Sequence, residues 1–514
     1  MTLLWIILIP LIGGVLCMRA ERFSKALVRE IALVTMSIVT LMSLQLWLNG
    51  NFTAPDVTSI APHWAFEIQY PWISRFGISF HLGVDGLSML LVFLTGLVGL
   101  WAIACSWDDV QEHVGFFYFN LLWLLSGVIG VFLALDLFLF FFFWELMLIP
   151  MYFLIALWGH DVSIHKTRFH AAVKFFVYTQ ASGMLMLFAI LGLVFANYSN
   201  TGSFSFDYSV LRNTALTPTV EYLIMLGFFI AFAVKLPVPP LHSWLPDAHG
   251  QAPTAGSVIL AGLLLKTAGY GLLRFAVPMF PHASLEFAPI AMILGCISII
   301  YTAILAFAQT DLKRLIAYTS ISHMGFILIA IYAGEMISMQ GAVLQMVAHG
   351  LSASALFILA GQLYERLHTR DLTKMGGLWT RLPIIPAFAL FFVAASLGLP
   401  GTGNFVGEFL ILLGAFPVAP WSVVIASTGL VLASIYSLVL MQRAFYGAPS
   451  DPNAAPLNGP VLREVLILGS LVIMMLAMGF YPQPLVTTAS SSITAVRDIY
   501  RPQSVAPVPS LTAP

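Results

Sequence analysis

Nearly uncharged apolar runs of about 20 residues recur along this chain from Leu3 to Phe480. A run of that length forms a helix about 30 Å long, which matches the hydrocarbon core of a bilayer. Inside lipid each backbone N–H and C=O must find its partner within the segment, so helices are expected rather than open strands. Only 9% of the residues are charged and 60% are hydrophobic, whereas a soluble domain carries about 25% charged residues. The expected fold class is an all-α polytopic membrane protein. The start, MTLLWIILIPLIGGVLC, has no basic residues ahead of its apolar run, so it reads as a first span and not as a cleaved signal.

The runs predict about fourteen spans: 2–18, 28–48, 84–105, 115–135, 137–158, 170–197, 220–245, 255–274, 287–308, 313–333, 340–362, 383–415, 421–445 and 462–481. The polar, proline-rich end RPQSVAPVPSLTAP reads as disordered. Three cysteines (Cys17, Cys105, Cys296) stand alone, without the spacing of a metal site or disulfide framework. No glycine-rich dinucleotide fingerprint follows a strand pattern. A net charge of −1 offers nothing to nucleic acid.

The chain has 22 lysines and arginines. Arg19, Arg22, Lys25, Arg29, Lys166, Arg168, Lys313, Arg314, Arg366, Arg370, Lys374, Arg381, Arg443 and Arg463 fall in loops on one side. Arg75, Arg212, Arg274, Arg497 and Arg501 fall on the other. The positive-inside rule makes the first side cytoplasmic and puts both termini on the opposite, outer side. Lys174, Lys235 and Lys266 are left over, and their only place is inside the membrane.

Two acids join them. In LDLFLFFFFWELMLIPMY, Glu145 lies deep in a wall of phenylalanine and leucine, and Glu408 lies in the twelfth span. Five such residues cost about 12–18 kcal/mol on insertion scales, so they need partners, water or a function. Burial favours the neutral form of each group and pairing favours the charged form. For a glutamate and lysine about 7 Å apart at an effective dielectric near 20, the attraction is about 2.4 kcal/mol. The two effects are comparable and opposed. Moving the glutamate would therefore tip a lysine between charge states, and Glu145 is the candidate group that tunes one. A single buried ion pair commonly just fixes packing, but five ionisable groups on five helices point to a proton route.

Two spans carry breaks. In FFIAFAVKLPVPPLHSWLPDAH, Pro237, Pro239 and Pro240 should leave the carbonyls of Ala233, Lys235 and Leu236 without helical donors. In FFVAASLGLPGTGNFVGEF, Pro400 lies among Gly398, Gly401 and Gly403, ahead of Glu408. Freed backbone groups at that depth belong beside protein or water. The breaks occupy corresponding places in two five-helix units, spans 4–8 and 9–13. Both units open a helix with Asp-Leu (Asp136-Leu137, Asp311-Leu312). An odd number of spans per unit inverts the second relative to the first. The expected divisions are residues 1–114 (three spans), 115–280 (first unit), 281–446 (inverted second unit) and 447–514 (last span and tail).

Polar residues three or four apart share a helix face. Lys174, Tyr178 and Ser182 form one stripe, Thr319 and His323 another with Ser322 beside it. Gln345, His349 and Ser352 form a third, and Lys266 with Tyr270 a fourth. Singly, such residues are helix–helix glue or packing. Two histidines in the unit to which no leftover intramembrane lysine belongs favour a relay. Asp85 and Asp136, near span ends, read first as caps.

Three stretches, PLHSWLPDAHGQAPTAGSVILAGLLLKTAGYGLLRF, TDLKRLIAYTSISHMGFILIA and GLPGTGNFVGEF, resemble the antiporter-like membrane subunits of respiratory complex I, and the likeness covers nearly the whole chain. It implies that Glu145 modulates the central lysine Lys235, that Lys266, His323 and His349 form a central axis, and that Glu408 is the terminal proton carrier. It places NADH, FMN, iron–sulfur clusters and quinone on partner subunits. It also implies neighbours of the same fold, the L and N antiporter-like subunits. Those siblings usually have a lysine where this chain has Glu408, and L continues into a long lateral helix for which this length leaves no room. The same residues suit two other readings, a stand-alone cation/proton antiporter and a passive scaffold.

Overall fold

The computed structural model describes residues 1–52, 63–161, 167–447 and 457–501. The helices that matter here are α1 (Thr2–Ala20), α2 (Lys25–Asn49), α3 (Gly86–Cys105), α4 (Val114–Leu133), α5 (Leu137–Trp158) and α6 (Arg168–Thr201). Then follow α7 (Pro218–Lys235), α8 (Trp244–Gln251), α9 (Thr254–Met279), α10 (Pro281–Phe307), α11 (Leu312–Ala333) and α12 (Met336–Leu367). The chain closes with α13 (Ile385–Ser396), α14 (Gly403–Ala415), α15 (Pro420–Tyr446), α16 (Leu462–Phe480) and α17 (Gln483–Tyr500). Among the described residues 13 helices are long and apolar enough to cross a membrane, and α13 and α14 are shorter apolar helices. The most apolar stretches of α9 and α12 are buried throughout, whereas α2, α15 and α16 keep broad exposed apolar faces suited to lipid or neighbours.

Each expected break falls between two helices. α7 ends at Lys235 and α8 begins at Trp244. The Ala233 carbonyl is not left free, because Val238 N–H donates to it at 2.8 Å, and the Trp244 indole donates to Val234 O at 2.9 Å. In the other break Leu399 N–H donates to Ala394 O at 3.1 Å, the same five-residue step. Gly398 and Gly401 turn the chain there with φ of 84° and 93°, which side-chain-bearing residues rarely adopt.

The two Asp-Leu starts are built alike. Asp136 accepts from Phe138 N and Leu139 N, and its neighbours pair with the segment at Asp207 through Leu137 N→Phe206 O and Tyr208 N→Leu135 O. Asp311 accepts from Arg314 N, and its neighbours pair at Asp371 through Leu312 N→Arg370 O and Leu372 N→Thr310 O. Asp85 also caps its helix, accepting from Ser88 N at 2.9 Å.

Two elements escape the apolar-run reading. An antiparallel hairpin, β1 (Phe66–Ile73) and β2 (Ile78–Val84), sets Phe66 opposite Val84. Beyond α16, α17 lays Ala489, Ile493 and Val496 against the bundle, and Tyr500 donates to Tyr332 O at 3.1 Å. Its polar face keeps it out of a search for spans. The proposed disordered tail lies outside the described residues from 502 onward.

Candidate functional site

The buried ionisable set differs from the sequence count. Lys235 and Lys266 are buried, as expected. The Lys174 side chain keeps 24% exposure and pairs at 2.8 Å with Asp247, which also holds Arg314 at 2.6 Å. Three cations assigned to loops are buried instead: Lys313, Arg274 and Arg370. Arg274 pairs with Asp85, and Arg370 lies 3.5 Å from Asp311. Counting loop charges could not find them, because each takes its partner from a distant segment.

Glu145 and Lys235 form one group. Glu145 is half-buried on α5, and the Lys235 charge acts on it without a salt bridge between them. Lys235 Nζ sits 4.3 Å above the Trp144 ring, a cation–π contact. Gly183 of α6 makes room for the carboxylate, since a methyl group there would fall on Glu145 Oε1.

Lys266, His349, His323 and Glu408 form a second group. Lys266 Nζ donates to Ala261 O and stands 2.7 Å from His349 Nδ1. Wide π-type turns at Leu260–Leu264 and Leu272–Ala276 bracket it on α9. The His349 and His323 rings are 5.5 Å apart between centroids, a gap that one water or a ring rotation spans. His323 Nδ1 stands 2.6 Å from Glu408 Oε1, and its Nε2 lies 3.2 Å from Ser396 Oγ and 3.4 Å from Tyr436 OH. Gln345 donates to Glu408 Oε1 at 2.8 Å. Glu408, itself buried, also borders a cavity of about 400 Å³ whose walls include the exposed Phe409 and Val431.

Among the described residues no side-chain hydrogen bond joins the two groups. Phe140, Trp144, Phe232 and Phe275 pack against one another on the Lys235 side. The stripes divide as their nature suggests. Tyr178 OH meets Ser243 Oγ at 3.0 Å beside Lys174, and Ser352 pairs with Asn404 at 3.0 Å. Ser182, Thr319 and Ser322 bond backbone carbonyls. Tyr270 donates to Phe132 O and lies 3.2 Å from Ser88 Oγ.

Sequence reasoning did not single out Trp144, Gly183, Asp247, Ser396 or Tyr436. Trp144 adjoins Glu145, and Ser396 precedes its break as Lys235 precedes the other, so both left a local signal. Tyr436 left none. At the basic end, Asp161, Asp311, Arg314 and Lys374 line an open basin of about 570 Å³. His160 lies beside it against Tyr364. Burial, then Lys313, Arg370 and Arg168, push its pKa down to about 3, so it is neutral. Among the described residues no cluster of His, Cys, Asp and Glu is placed to hold a metal ion.

Residues 134–433 match the family model described as NADH:quinone oxidoreductase/Mrp antiporter, TM. NADH-quinone oxidoreductase subunit M of Escherichia coli (strain K12) is 61% identical over 494 residues, covering 96% of this chain and 97% of that protein. Its counterpart in Pseudomonas aeruginosa is 60% identical over 498 residues, covering 97% of each. A chain of respiratory complex I from Thermus thermophilus with bound NADH superposes with a TM-score of 0.85 at 28% identity, covering 96% of this chain and all of that one. Full-length likeness of sequence and architecture leads to one conclusion: the chain belongs to the NADH:quinone oxidoreductase/Mrp antiporter family of membrane subunits.

Proposed function

We propose that this chain is the M-type, proton-translocating membrane subunit of an NADH:quinone oxidoreductase, embedded in a bacterial inner membrane. The observation that carries the reading is the Lys266–His349–His323–Glu408 series, buried groups that exchange protons, in contact except for one short gap. Glu145 sets the charge state of Lys235 in the first half. Protons pass along Lys266, His349 and His323, and leave from Glu408. Electron transfer supplies the drive, and NADH, FMN, iron–sulfur clusters and quinone belong to partner subunits. The L and N antiporter-like subunits are the expected neighbours.

The matching Asp136/Asp207 and Asp311/Asp371 pairings, and the shared five-residue step at each break, support two inverted units at 115–280 and 281–446. Residues 1–114 and 447–514 then flank them. The excess of basic residues at the Asp311 end supports a cytoplasmic basin and periplasmic termini.

The test is proton uptake per NADH oxidised in inside-out vesicles holding the assembled complex. Glu145→Ala, Lys235→Ala, Lys266→Ala and Glu408→Ala should each lower that ratio sharply. Wild-type pumping in a variant lacking all four would leave the chain a scaffold, and sodium–proton exchange by the purified chain alone would make it a stand-alone antiporter.

A further inference from the structure

His323 is held at both ring nitrogens. Its Nδ1 faces Glu408, so what meets Nε2 fixes the tautomer and the orientation of the ring. Nε2 meets two hydroxyls, Ser396 Oγ at 3.2 Å and Tyr436 OH at 3.4 Å, and both residues are buried. They come from different elements: Ser396 is the last residue of α13, and Tyr436 lies on α15. A serine inside a helix commonly bonds its own backbone. Ser427 and Ser434 of α15 do so, donating to Val423 O at 2.8 Å and Leu430 O at 3.2 Å. Ser396 turns its hydroxyl to the imidazole instead.

The second break thereby touches the His323–Glu408 pair at both ends. Ser396 meets the histidine, and two residues on Gly398 brings the chain against the acid. A methyl group at Gly398 would lie 3.6 Å from Glu408 Oε2. Ser396 and Tyr436 also line, with Thr319 and Ser437, a cavity of about 10 Å³ whose remaining wall is aliphatic apart from Ser437's neighbours on the same helix. That space holds one water at most, so the hydroxyls serve His323 directly and not through a solvent pool.

A hydroxyl donates or accepts after rotation about one C–O bond. When Nε2 is bare, one of the two hydroxyls donates to it. When the ring is an imidazolium, Nε2–H donates to a hydroxyl oxygen. The titratable groups facing the ring are Glu408 from α14, His349 from α12 and Tyr436 itself, with Lys266 of α9 one contact further, against His349.

We propose that Ser396 and Tyr436 are positioning residues for proton transfer at His323, a hydroxyl pair that keeps Nδ1 aimed at Glu408 in both charge states of the ring. The inference deepens the proton-translocation reading and rests on it. No covalent bond of either residue changes; each hydroxyl only reverses its hydrogen bond as the ring gains and loses a proton.

The experiment measures proton uptake per NADH oxidised across a range of pH, with the assembled complex in inside-out vesicles. Tyr436→Phe keeps the ring and removes the hydroxyl, and Ser396→Ala removes the other. Each should lower the ratio about threefold, and the double variant about tenfold or more, as expected for lost hydrogen bonds to a group that becomes charged. Bonds to the charged ring are the stronger ones. The alkaline limb of the pumping profile should therefore move to lower pH in the double variant, by about half a unit. Ser396→Thr, which keeps a hydroxyl, should recover most of what Ser396→Ala loses.

A wild-type ratio and profile in the double variant, with loss in Glu408→Ala, overturns the positioning role and leaves the parent reading standing. Full pumping in Glu408→Ala as well overturns both. A lower ratio with an unmoved profile, or an equal loss in Ser396→Thr and Ser396→Ala, assigns the effect to packing and also overturns the proposal. If the double variant does not assemble, the profiles of the two single variants decide.

Discussion

His323 Nδ1 stands 2.6 Å from Glu408 Oε1, tying α11 to α14 just beyond the break in the twelfth span. The same carboxylate oxygen accepts from Gln345 of α12, so three helices converge on one acid. The acid is thus held by two side chains and also borders a cavity of about 400 Å³.

Glu408→Gln keeps the side chain's shape and a carbonyl that can accept from Gln345, and removes the ionisable proton and the charge. Proton uptake per NADH oxidised should fall about tenfold while the complex assembles normally. An unchanged ratio would remove Glu408 from the path.

Gly183→Ala should impair pumping to a degree approaching that of Glu145→Ala. The added methyl group meets Glu145 Oε1 and pushes the carboxylate away from its place near Lys235. Alanine stabilises a helix by about 1 kcal/mol over glycine, so a loss here cannot be blamed on a weaker helix. The check is pumping alongside complex content in membranes; wild-type pumping would show that the position of Glu145 does not matter.

Arg274→Ala should strand the Asp85 carboxylate, since both side chains of that pair are buried. The expected loss is about 3–5 kcal/mol, seen as reduced assembly and a lower melting temperature. Replacing both, as Asp85→Leu with Arg274→Met, should recover most of the loss because no unpaired charge remains. A double variant as weak as Arg274→Ala would contradict this account.

The hairpin should loosen as pH rises. His81 on β2 stands 2.6 Å from Glu67 of β1 and 2.5 Å from Asp207. Burial works against the imidazolium, but the hydrogen bonds and charges of Asp207 and Glu67 outweigh it and raise the pKa above its usual value. A raised folded pKa gives stability that is complete below the unfolded value of about 6.5 and lost as pH climbs through the folded one. Hydrogen exchange at Gln69 and Tyr70 should quicken across that window in the native chain. In His81→Gln, exchange corrected for intrinsic rates should be insensitive to pH there.

Span positions were legible in the sequence because hydrophobic length is a local property. The two breaks were legible because proline removes a donor wherever it stands. Lys235, Lys266 and Glu408 were recognisable as intramembrane groups for the same local reason. The hairpin was not, although its period-two alternation was present, because an all-helical expectation gave it no weight. α17 was missed because half of its surface is polar.

The sequence alone determined that this chain crosses a membrane many times, and which spans carry amines and carboxyls. Those conclusions follow from transfer energies, which depend on a residue and its near neighbours. Only the tertiary structure decided which charges meet. It buried Arg274 against Asp85, gave Lys174 to Asp247, and split the ionisable residues into two groups. It also stacked the His249 ring on Phe357. Such partners lie scores or hundreds of residues apart, and whether a charge is stabilised depends on the distance and dielectric between groups that only folding brings together.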